Sequence, residues 1–140
     1  MAGKAQSVVF DQASRPFALY LHWPFCRAKC PYCDFNSYVS NDVDSKIFGD
    51  ALCTEMTHMA SLMPSRPPLS SLFFGGGTPS LMRPILVERL IRHAEDLFGF
   101  TGDIEITAEA NPTSVEADAM LGFQKAGVNR VSMGVQSLDD

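Results

Sequence analysis

The chain has 140 residues, enough for one domain with a real core. Hydrophobic residues make up 46% and charged residues 19%, which excludes a disordered chain, and a net charge of −5 leaves no basic face for nucleic acid. No apolar run approaches the ~20 residues of a membrane span, and the start of the chain has no apolar h-region, so neither a transmembrane segment nor a signal peptide is expected.

In chain order, residues 1–16 read as a flexible leader. Phe17–His22, opened by Pro16 and closed by Pro24, reads as a buried strand and runs into a loop holding Cys26, Cys30 and Cys33. Apolar residues at helical spacing over Val43–Met63 predict a helix with Asn41 or Asp42 as its cap. Ser70–Phe74 is a second strand, followed by Gly75-Gly76-Gly77-Thr78. A second helix is expected over Pro84–Phe98, stopped by Gly99. Asp103–Ala108 alternates as a third strand and ends at Glu109. Ser114 is expected to cap a third helix that ends at Ala126, and Asn129–Gly134 forms a fourth strand before Gln136.

This βαβαβαβ order calls for parallel strands with right-handed crossovers, in an open doubly wound sheet or a (β/α) barrel. Either fold places function at the carboxyl ends of its strands. The cysteine loop, the triple glycine, Glu109 and Gln136 each follow a strand, so all four are expected on one rim. The core is expected over 17–140 and, stopping on its fourth strand, looks truncated, with an edge left for further chain or a partner.

The spacing Cys26-x-x-x-Cys30-x-x-Cys33 lets one loop wrap a single inorganic centre, and thiolates select zinc, copper(I) or iron–sulfur clusters. A closed zinc site needs a fourth ligand, from His22 or Cys53, and a redox dithiol is a further alternative. Three thiolates suit a 4Fe–4S cluster with one iron left open. Arg27 and Lys29 would offset thiolate charge, while Trp23, Phe25, Tyr32 and Phe35 are expected to keep water from the irons. The glycines suggest backbone N–H groups exposed to a zwitterion, with Thr78 adding a hydroxyl. Glu109 offers an acceptor for an amine or ribose hydroxyl, and Gln136 an amide for a polar edge. Tyr20 and His22 share one strand face; Tyr20 is in reach of the loop, whereas His22 reads as a packed histidine. Cys53, on an apolar helical face, reads as a buried structural thiol.

The cysteine motif after a first strand resembles the signature of radical S-adenosylmethionine (SAM) proteins. The segments Tyr20–Cys26, Cys30–Asn36, Gly75–Ser80, Glu109–Pro112 and Ala126–Ser137 look like the oxygen-independent coproporphyrinogen III oxidase branch. The resemblance implies the N-terminal part of a (β/α)₆ partial TIM barrel, with about four parallel strands and three helices present. It implies a 4Fe–4S cluster on Cys26, Cys30 and Cys33, with SAM chelating the open iron. Tyr20, Tyr32, Gly76, Gly77, Thr78, Glu109 and Gln136 match the cofactor-contacting positions. In the family, an electron from the cluster cleaves SAM to a radical, which implies a flavodoxin or ferredoxin donor where that chemistry occurs.

The oxidases of this branch carry a further cysteine two residues after the third, where this chain has Phe35. That departure resembles the haem chaperone (HemW) group, which implies haem as cargo and haem-accepting proteins as partners; the few, tightly grouped cysteines suit a reducing cytoplasm. The alternatives are the oxidase, acting on porphyrinogen, and a small zinc-binding module.

Overall fold

The structure, a computed structural model, describes residues 16–112 and 114–137. The expected leader, apart from Pro16, lies outside these residues, as does the side-chain cap expected of Ser114. The elements are β1 (Ala18–Trp23), β2 (Phe25–Cys26), β3 (Tyr38–Val39), α1 (Ser45–Leu62), β4 (Leu69–Gly76), a 3₁₀ turn (Pro79–Leu81), α2 (Pro84–Phe98), β5 (Phe100–Ala110), α3 (Ser114–Ala126) and β6 (Arg130–Met133). Four strands form one sheet in the order β1-β4-β5-β6, each pair parallel. Each crossover between them contains a helix, the connection that parallel neighbours require.

Strand alternation divides the sheet into two unlike faces. Leu21 and Trp23, Leu72 and Phe74, and Ile106 and Ala108 are buried on one face. They join Met56 of α1, Leu86, Leu90 and Ala94 of α2, and Phe123 of α3 in a single core. The other face carries Tyr20, His22, Phe73, Thr107 and Glu109. There the Tyr20 ring stacks on Phe73 with centroids 6.0 Å apart, and Arg130 donates to Glu105 at 3.3 Å and to Thr107 at 3.2 Å. The helical layer therefore supplies burial, and the opposite face is free to supply chemistry.

Local signals explain the helix ends. Helix α2 starts with Pro84 in its first turn and stops at Gly99, whose φ of 70° lets its N–H return to the Glu95 carbonyl at 2.7 Å. In α1 the cap is Asp44, not Asn41 or Asp42 as the sequence suggests. Its carboxylate accepts from the Lys46 and Ile47 amides at 2.9 and 3.0 Å. Asp44→Ala is expected to cost about 1 kcal/mol in urea denaturation, with Asp42→Ala near zero. Equal costs for the two would return the cap to the earlier residue.

The strands are longer than the alternation suggests at β4 and β5, and a two-residue pair, β2 with β3, was not expected at all. That small parallel ladder pairs Phe25 with Tyr38 and Cys26 with Val39, so it closes the cysteine loop at its base. β6 is one edge of the sheet and β1 the other, and Val131 and Met133 on β6 are exposed.

Candidate cofactor site

The cysteine loop leaves the carboxyl end of β1 and is tied at both ends. The Tyr38 amide donates to the Pro24 carbonyl at 2.7 Å and the Ser40 amide to the Cys26 carbonyl at 3.0 Å. Within the loop, the Cys33 amide returns to the Cys30 carbonyl at 3.0 Å, forming a turn that spans two of the thiols. Cys26 is buried at the root of the loop, Cys30 is exposed and Cys33 half-buried. All three are free thiols. Tyr32 lies beside Cys30, and the hydrogen bond between these side chains holds the phenol above its ordinary pKa.

The four residues expected as an apolar shell divide between the helical core and the loop surface. Trp23 is in phase with Leu21, so it points into the helical core and meets Phe48 edge-on at 5.3 Å, with Phe25 packed against both. Tyr32 and Phe35 are 66% and 64% exposed. Lys29 reaches the Phe35 carbonyl at 3.4 Å, bracing the loop from within.

The triple glycine also works differently from the expectation. Two of its N–H groups, and that of the following Thr78, are bonded within the chain: Gly76 donates to Glu109 Oε2 at 3.1 Å, Gly77 to the Trp23 carbonyl at 2.7 Å and Thr78 to the Phe25 carbonyl at 3.0 Å. These bonds stitch the end of β4 to β5 and to the start of the cysteine loop. What the glycines provide is room. A Cβ on Gly77 would stand 2.8 Å from the Phe25 carbonyl oxygen and 3.0 Å from Cys26 Sγ. The cysteine loop can therefore lie directly against the end of β4.

Gly76, Gly77, Thr78, Glu109 and Gln136 line one cleft of about 220 Å³, and Phe35 reaches it from the cysteine loop. Four strand ends thus share a rim. Gln136 sits at the far side with φ 67°, in a tight turn closed by a 2.8 Å bond from the Ser137 amide to the Val135 carbonyl. Such backbone strain in a side chain facing a cleft is a mark of functional sites. Tyr20 and Tyr32 do not line this cleft. Tyr20 lies over Gly75 instead, and burial together with the Glu109 charge raises its pKa.

Phe35, the position where the oxidase branch has a further cysteine, is a wall of the cleft. His22 was read as packing, yet its ring bonds to both the Tyr20 hydroxyl and the Asn36 carbonyl. Cys53 is as expected: buried between α1 and α2 within the core, with burial pushing its thiol pKa up.

Among the described residues, no three Cys, His, Asp or Glu side chains converge on a single metal ion. The donors are soft thiols spread around one tied loop, beside a wall of glycines and an open cleft. A many-atom cluster held by Cys26, Cys30 and Cys33 would fit this donor set, and three thiolates would leave one of its irons without a protein ligand.

Residues 20–140 match the sequence pattern described as the Radical SAM superfamily. The chain belongs to that superfamily. Among its radical SAM relatives, Radical S-adenosyl methionine domain-containing protein 1, mitochondrial, of Bos taurus is 42% identical over 127 residues, 91% of this chain and 28% of the relative. Heme chaperone HemW of Escherichia coli is 40% identical over 126 residues, 89% of this chain and 33% of that protein. Among solved structures, coproporphyrinogen III oxidase (HemN) from Escherichia coli, a radical SAM enzyme, matches with a TM-score of 0.78 at 36% identity, covering 89% of this chain and 29% of that one. The chain spans about a third of the length of these relatives. Its four parallel strands and three helices form part of a radical SAM TIM-type barrel. No helix among the described residues is long and apolar enough to cross a membrane.

Proposed function

We propose that this chain is the cluster- and SAM-binding part of a haem chaperone, in which haem is cargo handed to haem-requiring proteins. Cys26, Cys30 and Cys33 would hold a 4Fe–4S cluster, and Gly76, Gly77, Thr78, Glu109 and Gln136 would receive SAM from the cleft side. Tyr20 and Tyr32 would close the site from β1 and from within the loop. When bound, the cluster would supply an electron and an iron open to the amine and carboxylate of SAM. The observation that carries this reading is the single cleft that joins three strand ends to the cysteine loop.

Glu109 has two tasks in this scheme. One carboxylate oxygen fixes the Gly76 amide, and the charge beside the cleft attracts an amine or accepts from a ribose hydroxyl. Because the Gly76 and Gly77 amides are already bonded to the chain, recognition of SAM falls to side chains and carbonyls rather than to an amide nest. Phe35 supports the chaperone over the oxidase: an apolar ring occupies the cleft wall where the oxidase branch has a further thiol. The relatives named Heme chaperone HemW support the same choice. The alternative, an oxygen-independent coproporphyrinogen III oxidase fed by a flavodoxin or ferredoxin, draws on the structural match to HemN. We place the protein in the cytoplasm; the Bos taurus relative carries a mitochondrial name.

Anaerobic treatment with iron and sulfide is expected to give a brown protein that binds SAM and shifts the absorbance of added haem, without converting coproporphyrinogen III. Glu109→Gln, which retains an acceptor for the Gly76 amide, should weaken SAM binding about tenfold or more, the contribution of a hydrogen bond to a charged group. Its iron content should match the parent. A colourless product retaining zinc would sink the proposal, and turnover of coproporphyrinogen III would favour the oxidase.

A further inference from the structure

His22 lies on the functional face of β1, four residues before the first cysteine, and both of its ring nitrogens are engaged. Nε2 is 3.0 Å from the Asn36 carbonyl oxygen. A carbonyl only accepts, so that nitrogen carries a proton. The neutral ring then has a bare Nδ1, and the Tyr20 hydroxyl 3.1 Å away must donate to it. The chain of bonds therefore has one direction, from the Tyr20 hydroxyl through the imidazole to the Asn36 carbonyl. Tyr20 is left with its oxygen lone pairs unspent.

The end of β4 is shaped to seat this pair. A Cβ on Gly76 would stand 2.6 Å from His22 Cε1 and 2.7 Å from Nδ1, and a Cβ on Gly75 would stand 2.7 Å from the Tyr20 ring and 3.0 Å from its hydroxyl. Asn36 is three residues beyond Cys33, on the arm by which the cysteine loop returns to β3. At its base the loop is held by the short β2–β3 ladder. The His22 bond is a second tie, placed nearer Cys33 on the return arm.

We infer that His22, protonated on Nε2, is the positioning residue of this site: it fixes the return arm of the cysteine loop and turns the Tyr20 hydroxyl into an acceptor. This deepens the function proposed above and rests on it only for what the loop holds. The Tyr20 oxygen then suits a ligand group that brings its own proton, such as an ammonium or a ribose hydroxyl.

Two conservative replacements separate the two bonds. In His22→Gln the amide nitrogen falls near the place of Nε2, which keeps the loop tie and gives up Tyr20. In His22→Asn the carboxamide oxygen falls near Nδ1, which keeps Tyr20 and gives up the tie. Nitrogen-15 NMR of the metal-free chain at pH 8 should find His22 protonated on Nε2 alone. Amide exchange at Tyr38 and Ser40 should be about fivefold faster in His22→Asn, the factor contributed by one net hydrogen bond, and close to the parent in His22→Gln. Leu72 and Ile106 amides in the main sheet should exchange alike in all three, which shows that the variants are folded. In the iron-loaded protein, a chelator should strip iron about fivefold faster from the Asn variant than from the Gln variant. A proton on Nδ1, or equal exchange at Tyr38 and Ser40 in the two variants, overturns the inference. A parent chain that takes up no cluster defeats the proposed function instead, while the tautomer and exchange measurements still decide the role of His22.

Discussion

Gly76→Ala is expected to lower folding stability by about 2–5 kcal/mol, the sum of a left-handed backbone penalty and an overpacked contact. Gly76 has φ 117°, which side-chain-bearing residues rarely adopt, and its Cβ would press on His22 at 2.6 Å and on the Trp23 carbonyl oxygen at 2.9 Å. The imidazole could swing aside, but the Trp23 oxygen is backbone, and it already receives the Gly77 amide. Two other glycines calibrate the effect. Gly99 has φ 70° and ψ 167° with nothing within 4 Å, so Gly99→Ala should show only the conformational part, about 1–3 kcal/mol. Gly102 has open space and no such φ, so Gly102→Ala should be near neutral. Urea denaturation of the three variants tests this order. If Gly76→Ala proves as mild as Gly99→Ala, the tight seat of His22 on β4 is wrong.

Cys26→Ser should abolish the cluster, taking iron after anaerobic loading from about four per chain to near zero, since two thiolates cannot retain the cubane. Cys53→Ser should keep the full iron content. Both thiols are 8% exposed, so burial does not separate them; position does. Cys26 is at the root of the tied loop with its sulfur against Gly77, whereas Cys53 faces the α1–α2 core. The expected penalty of Cys53→Ser is one of stability, about 1 kcal/mol, since a polar hydroxyl replaces a mostly buried thiol but can keep the hydrogen bond from Arg89. Iron analysis and urea denaturation on the same samples distinguish the two outcomes. Loss of iron from Cys53→Ser with folding intact would bring that thiol into the site.

The sequence was most legible where a single signal was unambiguous. Pro84 and Gly99 bracket α2 and give both its ends, and the strand alternation places Tyr20 and His22 on one face. The cap of α1 was misread because Asn41, Asp42 and Asp44 are all capping types within four positions, and only backbone geometry chooses among them. The β2–β3 pair escaped notice because two residues carry no period. The triple glycine is the most instructive case. Its presence signals that something approaches the backbone closely, but not whether the approaching group is a ligand or the chain itself. Here Tyr20, His22 and Cys26 take up that space, and the amides that looked available are bonded within the fold.

The tie at the base of the cysteine loop has a thermodynamic consequence. A loop pinned by Pro24–Tyr38 and Cys26–Ser40 bonds resembles a macrocyclic chelator more than an open-chain one. Part of the entropy of bringing its ends together is spent when the sheet forms, and an incoming inorganic centre need not supply it. Many small metal domains make the opposite arrangement and fold only as they bind. In this chain the protein organises the ring first, so metal-free and metal-loaded forms should share one fold and differ chiefly in how firmly a single loop is held.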